Sequence, residues 1–222
     1  MTTIEIYHGS PCVVRKPELA KGRPYNDYGQ GFYCTRDKDL ACEWACDDSR
    51  PGGIVNTYAV NLEGLNVLNL DDNPHGVLGW AATLMKYRKV NMPATVNRAY
   101  VDRFIGAYAQ NLDDADIVEG FRADDSYYDI IRAFAGNQIT DKRLLEAFQL
   151  GNLGRQIVLK SRRVFEMIEF VGAETVPSDP WAKRRLTRNS KANDQFFAML
   201  QAPSPYEGKL FSDIVVELEK GQ

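Results

Sequence analysis

Residues 29–46 read GQGFYCTRDKDLACEWAC, and this stretch predicts a short aromatic strand followed by a capped helix. Gly29 and Gly31 flank the start of the strand and permit a close backbone approach. Thr35 or Asp37 provides a capping oxygen, and the apolar residues from 37 to 46 recur at helical spacing. The glycine spacing matches neither the dinucleotide-binding fingerprint nor the P-loop, so no phosphate loop of those kinds is predicted.

Upstream of this stretch, residues 3–7 read TIEIY and alternate between apolar and polar side chains. Such alternation of β-branched and aromatic residues predicts a strand, which we expect to end at His8, Gly9 and Ser10. A loop punctuated by proline and glycine, KGRPYNDYGQG, connects the two regions. The two strand ends are the places where a rigid scaffold can present reactive side chains.

The rest of the chain contains both the alternating pattern of strands and the three-to-four-residue spacing of helices. Further strands are predicted at residues 54–61, 65–70, 127–134, 156–160 and 163–176. Helices are predicted at residues 75–88, 94–111 and 140–149. Because strands and helices do not alternate regularly, an α+β fold is favoured over a doubly wound α/β fold.

The composition excludes several classes of protein. The 222 residues carry 27 Lys plus Arg against 30 Asp plus Glu, for a net charge of −3 and a pI near 5.5. This balance argues against general coating of nucleic acid. No apolar run reaches the roughly 18 residues of a membrane span, and the first ten residues lack the pattern of a secretory signal. The sequence therefore predicts a cytoplasmic protein without a membrane partner.

The cysteines and histidines do not predict a metal site. The four cysteines are Cys12, Cys34, Cys42 and Cys46, and the chain has two histidines. No CxxC pair supports zinc binding, so we expect no metal ligands and interpret the cysteines as buried or incidental thiols.

Taken together, YHGS at residues 7–10, GQGFYCT at 29–35 and the helix carrying Trp44 resemble the ADP-ribosyltransferase superfamily, in its diphtheria-toxin and poly(ADP-ribose) polymerase branch. With GRPYNDYGQGFYCT and ADDSYYDII, residues 4–170 more closely resemble DUF3990, a bacterial family of uncharacterised proteins grouped with that superfamily. The resemblance implies a split β-sandwich of two antiparallel sheets with flanking helices. We expect this domain at residues 1–176 and a C-terminal extension, packed on it or binding a partner, at 177–222.

The resemblance also implies NAD as co-substrate. His8 matches the histidine that holds the adenosine ribose, and the Gly9 backbone matches the contact to the nicotinamide amide. Trp44 matches an aromatic residue that stacks on the nicotinamide ring. The full set of residues expected to bind NAD is His8, Gly9, Ser10, Gly31, Tyr33 and Trp44. The expected catalytic residues are His8, Tyr33 and Gln156.

Gln156 departs from the superfamily pattern, because it occupies the place of the usual glutamate in the strand sequence RQIVL. An amide can hydrogen-bond a ribose hydroxyl but cannot act as a carboxylate base. Three consequences are open at this point. In the first, the acceptor group is nucleophilic enough to react without a base. In the second, another carboxylate, such as Asp27, Asp124 or Asp125, takes the role of the glutamate. In the third, the protein binds NAD without turnover.

The expected function is mono-ADP-ribosylation of a macromolecule, either protein or nucleic acid, by a toxin–antitoxin or phage-defence effector with an antitoxin partner. The alternatives are a catalytically silent module that binds NAD or ADP-ribose and an NAD glycohydrolase. Residues 183–191 hold five basic side chains and are interpreted as part of a linker or docking patch, with a solvated surface as the simpler interpretation.

Overall fold

The computed structural model describes residues 3–47, 49–88, 90–123, 125–150, 154–202 and 207–221, which form an α+β fold. The strands in these residues are β1 (Thr3–Ser10), β2 (Phe32–Cys34), β3 (Gly52–Asn61), β4 (Val67–Asn69), β5 (Ile117–Phe121), β6 (Arg155–Leu159) and β7 (Ile168–Pro177). The helices are α1 (Lys38–Ala45), α2 (Gly76–Tyr87), α3 (Arg98–Tyr108), α4 (Asp125–Ala135), α5 (Asp141–Gln149), α6 (Arg162–Met167), α7 (Ser178–Gln201) and α8 (Phe211–Glu219).

The chain forms two compact units, each assembled from three segments. The first unit comprises Met1–Leu70, Asn111–Arg122 and Gly154–Arg188 and contains both sheets. The second unit comprises Asp71–Gln110, Ala123–Leu153 and Asn189–Gln222 and is helical in its described part. The boundary that the sequence predicts between residues 176 and 177 stays a prediction.

In the first unit, one sheet has three strands in the order β1-β3-β7, and both of its pairings are antiparallel. The other sheet has four strands in the order β2-β6-β5-β4. Its β2–β6 and β5–β6 pairings are antiparallel, whereas β4 pairs with β5 in parallel. The prediction of two purely antiparallel sheets is therefore wrong for this edge strand. A parallel pair requires a long crossover, and the chain between β4 and β5 includes α2 and α3.

A hydrophobic core in the first unit draws side chains from both sheets. Ile6 and Tyr58 come from the three-stranded sheet, and Cys34, Ile117 and Ile157 come from the four-stranded sheet. Burial of an aliphatic side chain of this size contributes about 1.5 to 3 kcal/mol, so this cluster is a main source of stability.

A backbone bridge joins the two sheets at the edge of this core. The Tyr7 N–H donates to the Thr35 carbonyl at 2.8 Å, and the Thr35 N–H donates back to the Tyr7 carbonyl at 2.9 Å. On the other side of β2, Cys34 pairs with Ile157 of β6. At this point β1, β2 and β6 therefore lie side by side.

Helix α1 covers the other face of the three-stranded sheet. Asp37 caps it through Oδ1, which accepts from the N–H groups of Asp39 and Leu40 at 2.9 and 3.3 Å. Ala41 and Ala45 then pack with Val55 of β3 in a small buried cluster. The predicted helix is confirmed, and of the two candidate capping residues, Thr35 and Asp37, the cap is Asp37.

The helical unit has an aromatic core. The rings of Trp80 and Phe148 lie 4.2 Å apart, and Phe104 and Phe134 both pack on Phe211. Thr140 caps α5 by accepting from the Arg143 N–H, as the sequence predicts. Among the described residues, no helix combines the length and the apolar composition that a membrane span needs.

Three predictions of local structure are wrong. Residues 127–134 form part of α4 and not a strand. The N-terminal part of the strand predicted at 163–176 is α6, which Ser161 caps by accepting from the Val164 N–H at 3.2 Å. The basic segment is not a linker, because it lies in α7. The kink of this helix at Asp179 precedes the basic residues.

Candidate functional site

The predicted catalytic residues lie on the three strands that meet at the junction of the sheets. The junction consists of the Tyr7–Thr35 bridge and the Cys34–Ile157 pair. Each predicted residue is the immediate chain neighbour of one member of these pairs. These residues are His8 on β1, Tyr33 on β2 and Gln156 on β6.

His8 is fixed by its contact with β2. Its Nδ1 lies 2.7 Å from the Tyr33 carbonyl oxygen, and its ring packs on Phe32 with 4.4 Å between the ring centres. A carbonyl can only accept, so Nδ1 carries the hydrogen in this contact. Burial lowers the pKa of His8 below its ordinary value of 6.5, against the opposing effect of the Tyr33 carbonyl, so the ring is neutral at pH 7. In this tautomer Nε2 is a hydrogen-bond acceptor.

Gly9 is required by the packing of α1. A Cβ at Gly9 would lie 2.1 Å from the Ala41 carbonyl oxygen and 2.6 Å from the Ala45 nitrogen. This close approach explains the glycine without a ligand. The sequence could not reveal it, because the contact joins β1 to a helix more than 30 residues away.

Ser10 is held inside the protein by Asn56, a buried residue on β3 that sequence reasoning missed. The Ser10 hydroxyl donates to the Cys12 carbonyl at 2.6 Å and accepts from Asn56 Nδ2 at 3.0 Å. Asn56 Oδ1 accepts from the Val14 N–H at 2.8 Å. Asn56 therefore fixes the chain that follows β1, and the Ser10 hydroxyl already has a donor and an acceptor partner.

The Tyr33 hydroxyl holds the loop that precedes β2. It donates to the Gly29 carbonyl at 2.7 Å and accepts from the Tyr28 N–H at 3.0 Å. Gly31 approaches β6 closely, since a Cβ there would lie 2.5 Å from a methyl carbon of Val158. Tyr33 and Gly31 therefore both have structural roles in the loop, beside those predicted for NAD.

Tyr33 and Gln156 share one face of the four-stranded sheet. Tyr33 pairs with Val158, which is two residues from Gln156, and side chains two apart on a strand point to the same face. This face is opposite to the one that carries Cys34 and Ile157 into the core. Since the His8 ring contacts Phe32, it packs on the core face, and the described hydrogen bond links it to Tyr33 through the backbone alone.

Gln156 is buried, with 3% of its surface exposed, and its amide nitrogen is fully used. Nε2 donates to Asp27 Oδ2 at 2.8 Å and to the Phe121 carbonyl at 3.3 Å. Among the three carboxylates that the sequence offers as substitutes, Asp27 is therefore in contact with Gln156. Asp124 lies outside the described residues, and for Asp125 the structure describes the backbone only.

Tyr28 anchors the loop beside this pair. It is fully buried, and its hydroxyl donates to the Phe121 carbonyl. A Cβ at Gly120 would lie 2.4 Å from the Tyr28 hydroxyl oxygen, so only glycine leaves room for the ring. Lys160 donates through Nζ to the Tyr28 carbonyl at 2.6 Å, and burial lowers the pKa of this lysine. Nothing in the local pattern of the sequence indicates these contacts.

Trp44 lies on α1 beside a guanidinium group. The Arg122 guanidinium carbon is 5.7 Å from the centre of the Trp44 ring, within the range of a cation–π interaction. The Trp44 indole nitrogen is buried and has no hydrogen-bond partner among the described residues. A second flat cation can stack on Trp44 only at the face that Arg122 does not cover.

Part of the basic segment is engaged in ion pairs within the first unit. Arg188 contacts the Glu43 carboxylate, and Arg184 contacts Glu43 at 3.4 Å and Asp39 at 2.9 Å. Two of the five basic residues thus join α7 to α1, which weakens the interpretation of the whole segment as a docking patch.

The cysteines are thiols, and three of them are buried: Cys34, Cys42 and Cys46. Burial raises the pKa of Cys42 to about 11, so its thiol is a poor nucleophile. Within the part of the chain that the structure describes, no three His, Cys, Asp or Glu side chains are grouped to hold a metal ion.

A comparison with family models matches residues 4–170 to the model described as a protein of unknown function (DUF3990). No curated protein and no solved structure matches the chain.

Proposed function

The chain belongs to the DUF3990 family, and from its own geometry we propose that it is an NAD-dependent mono-ADP-ribosyltransferase with a split β-sandwich of the ADP-ribosyltransferase type. In the proposed reaction the bond between nicotinamide and ribose breaks, and nicotinamide leaves. A nucleophilic group of a macromolecule forms the new bond to the ribose carbon and loses its proton. NAD is thus the co-substrate, and the second substrate is a protein or a nucleic acid.

One observation carries this proposal. Gln156 follows His8 and Tyr33 by more than 100 residues of sequence, yet all three adjoin the backbone pairs that join β1, β2 and β6. The resemblance to the superfamily assigns all three residues to the NAD site. Their backbones meet at one junction, with the His8 ring on the core face and the Tyr33 and Gln156 side chains on the other face.

The polar atoms of His8 and Gln156 suit the two riboses of NAD, the adenosine ribose at His8 and the nicotinamide ribose at Gln156. His8 Nε2 is an acceptor because Nδ1 donates to Tyr33, and the Gln156 amide oxygen is an acceptor because Nε2 faces Asp27. Ribose hydroxyls are donors that such neutral acceptors can bind. The transition state resembles an oxocarbenium ion, so the negative charge of Asp27 next to Gln156 is of the sign that stabilises it.

Nicotinamide is assigned to Trp44. The pyridinium ring of NAD is a flat cation, and an indole face is the strongest aromatic partner for such a group. Because Arg122 covers one face of Trp44, the proposal places nicotinamide on the other. Polymer formation is disfavoured, since a neutral Gln156 stands in place of the glutamate. A toxin–antitoxin or phage-defence role with an antitoxin partner stays a prediction.

The proposal is tested by a proton NMR time course of the purified protein with NAD, alone and with cell lysate. Nicotinamide release that requires lysate, with ADP-ribose attached to a macromolecule, supports a transferase. Release without lysate and with equal free ADP-ribose indicates a glycohydrolase. Broadening of NAD resonances without release indicates a silent binding module. Absence of both release and binding at millimolar NAD contradicts all three functions.

The site assignment is tested by His8→Ala and Tyr33→Ala. Each should weaken NAD binding by about tenfold, which corresponds to the loss of about 1.4 kcal/mol. His75→Ala is the matched control, because this histidine belongs to the helical unit. Calorimetric titration with NAD provides the affinities, and circular dichroism checks the fold of each variant. Unchanged affinity in both site variants would remove the assignment.

A further inference from the structure

Asp27 and Gln156 form a buried hydrogen-bonded pair in which the Gln156 amide can take only one orientation. Asp27 is 5% exposed and Gln156 is 3% exposed, and Oδ2 and Nε2 are 2.8 Å apart. The second neighbour of Nε2 is the Phe121 carbonyl at 3.3 Å. Both neighbours are acceptors, and of the two ends of an amide only the nitrogen donates. The amide therefore turns its nitrogen to Asp27 and its oxygen away from it.

The position of Asp27 is set by the residue that follows it. Tyr28 is anchored at four points: its hydroxyl donates to Phe121, its N–H donates to Tyr33, its carbonyl accepts from Lys160, and its ring lies over Gly120. A residue adjacent to such an anchor has little freedom, so the carboxylate is held against Gln156.

A glutamate at position 156 would create a conflict in this setting. Two carboxylates at about 2.8 Å in a buried site cannot both be ionised, and neither could donate to the Phe121 carbonyl without binding a proton. Glutamine has nearly the same shape and donates to both Asp27 and the Phe121 carbonyl.

We propose that Asp27 is a positioning residue of the NAD site: its carboxylate holds the Gln156 amide with the oxygen toward the nicotinamide ribose and excludes a second carboxylate at position 156. The orientation toward NAD rests on the proposed function, whereas the exclusion of a carboxylate does not. In this arrangement the acid lies on the loop, and the amide lies on the strand at the place of the superfamily glutamate.

The first experiment measures melting temperatures of the wild type, Asp27→Asn, Gln156→Glu and the double variant at pH 7.5. Gln156→Glu should lower the melting temperature by on the order of 10 °C, because it places two carboxylates together in a buried site. The double variant should recover most of this loss, since the introduced asparagine amide can donate to the introduced glutamate carboxylate. Losses that simply add in the double variant would overturn the exclusion.

The second experiment measures affinities for NAD and for two analogues that each lack one hydroxyl of the nicotinamide ribose. In the wild type, one analogue should bind roughly tenfold more weakly than NAD. In Asp27→Asn this ratio should fall to about threefold or less, because asparagine can accept as well as donate and no longer fixes the amide. The double variant should restore the ratio, which a merely structural role of Asp27 would not do.

The two experiments separate the possible failures. An unchanged ratio in Asp27→Asn, with NAD bound normally, overturns the positioning role and leaves the proposed function standing. Absence of NAD binding in the wild type overturns the proposed function together with the ribose assignment. In that case the melting temperatures still decide whether Asp27 excludes a carboxylate at position 156.

Discussion

Two buried carboxylates in the sheet-containing unit have different surroundings. Glu43 on α1 is 1% exposed and contacts the guanidinium groups of Arg184 and Arg188. Asp27 in the loop before β2 is 5% exposed and contacts the neutral amide of Gln156. The first acid contacts two guanidinium groups. The second accepts a hydrogen bond from an amide whose oxygen points away from it.

The comparison sets a structural acid beside the acid that we propose for the NAD site. Burial raises the pKa of Glu43, and Arg188, Arg184 and Arg122 oppose that shift. A buried ion pair of this kind is costly to break because removal of one partner leaves the other charge buried. We therefore interpret Glu43 as the link between α1 and α7, whereas Asp27 belongs to the proposed NAD site.

The largest effect on stability is expected from Glu43→Ala, which removes the structural carboxylate of the two. The free energy of unfolding should fall by about 3 kcal/mol, since Arg188 loses a buried carboxylate partner. Urea denaturation followed by circular dichroism measures this change. The matched control is Glu174→Ala, which removes an exposed pair with Lys38 and should cost at most about 1 kcal/mol. Equal losses in the two variants would show that the burial of Glu43 has no energetic consequence.

A smaller loss is expected from Gly120→Ala, which disturbs the loop that holds Asp27. The new methyl group would lie 2.4 Å from the Tyr28 hydroxyl oxygen and 3.0 Å from a Leu70 methyl carbon. Overpacking of this kind costs about 1 to 3 kcal/mol, and urea denaturation provides the value.

Gly106→Ala on α3 provides the control, because a Cβ at this position meets no atom within 4 Å. Alanine should raise helix stability there by up to about 1 kcal/mol. If Gly120→Ala lowers the free energy of unfolding no more than Gly106→Ala does, the position of the Tyr28 ring does not depend on the glycine. The loop then has another anchor.

Sequence patterns predicted the elements whose signals are local. The cap of α1 at Asp37 and the cap of α5 at Thr140 depend on contacts within three residues, and both are confirmed. Residues 127–134 were misassigned because tyrosine and isoleucine favour strands in composition. Their buried positions decide otherwise, since Tyr127, Ile130, Ile131 and Phe134 follow helical spacing.

The candidate site was predictable in part for the same reason. The motifs at residues 7–10 and 29–35 are local, and they identify His8 and Tyr33 as candidates from sequence alone. Asn56 and Tyr28 were missed because their hydrogen bonds join residues more than 40 and more than 90 positions apart, respectively. Asp27 was only one of three candidate carboxylates, and its contact with Gln156 distinguishes it in the structure.

The smallest effect concerns His8 and the pH dependence of stability. The folded pKa lies below the ordinary value of 6.5, so the unfolded chain binds a proton first as the pH falls. Stability is therefore complete above about pH 6.5 and is lost as the pH falls toward the folded pKa. Each unit of pKa difference corresponds to about 1.4 kcal/mol.

His8→Gln should remove this loss, because the glutamine amide can still donate to the Tyr33 carbonyl but does not titrate. Urea midpoints measured from pH 7.5 to 5.5 should fall less steeply in this variant than in the wild type. His75→Gln, in the helical unit, should leave the contribution of His8 in place. Parallel slopes for His8→Gln and the wild type would mean that His8 is protonated in the folded protein as readily as in the unfolded chain. Nε2 would then carry a hydrogen in a larger share of the folded molecules as the pH falls through 6.5, and the acceptor assigned to a ribose hydroxyl would be lost over that range.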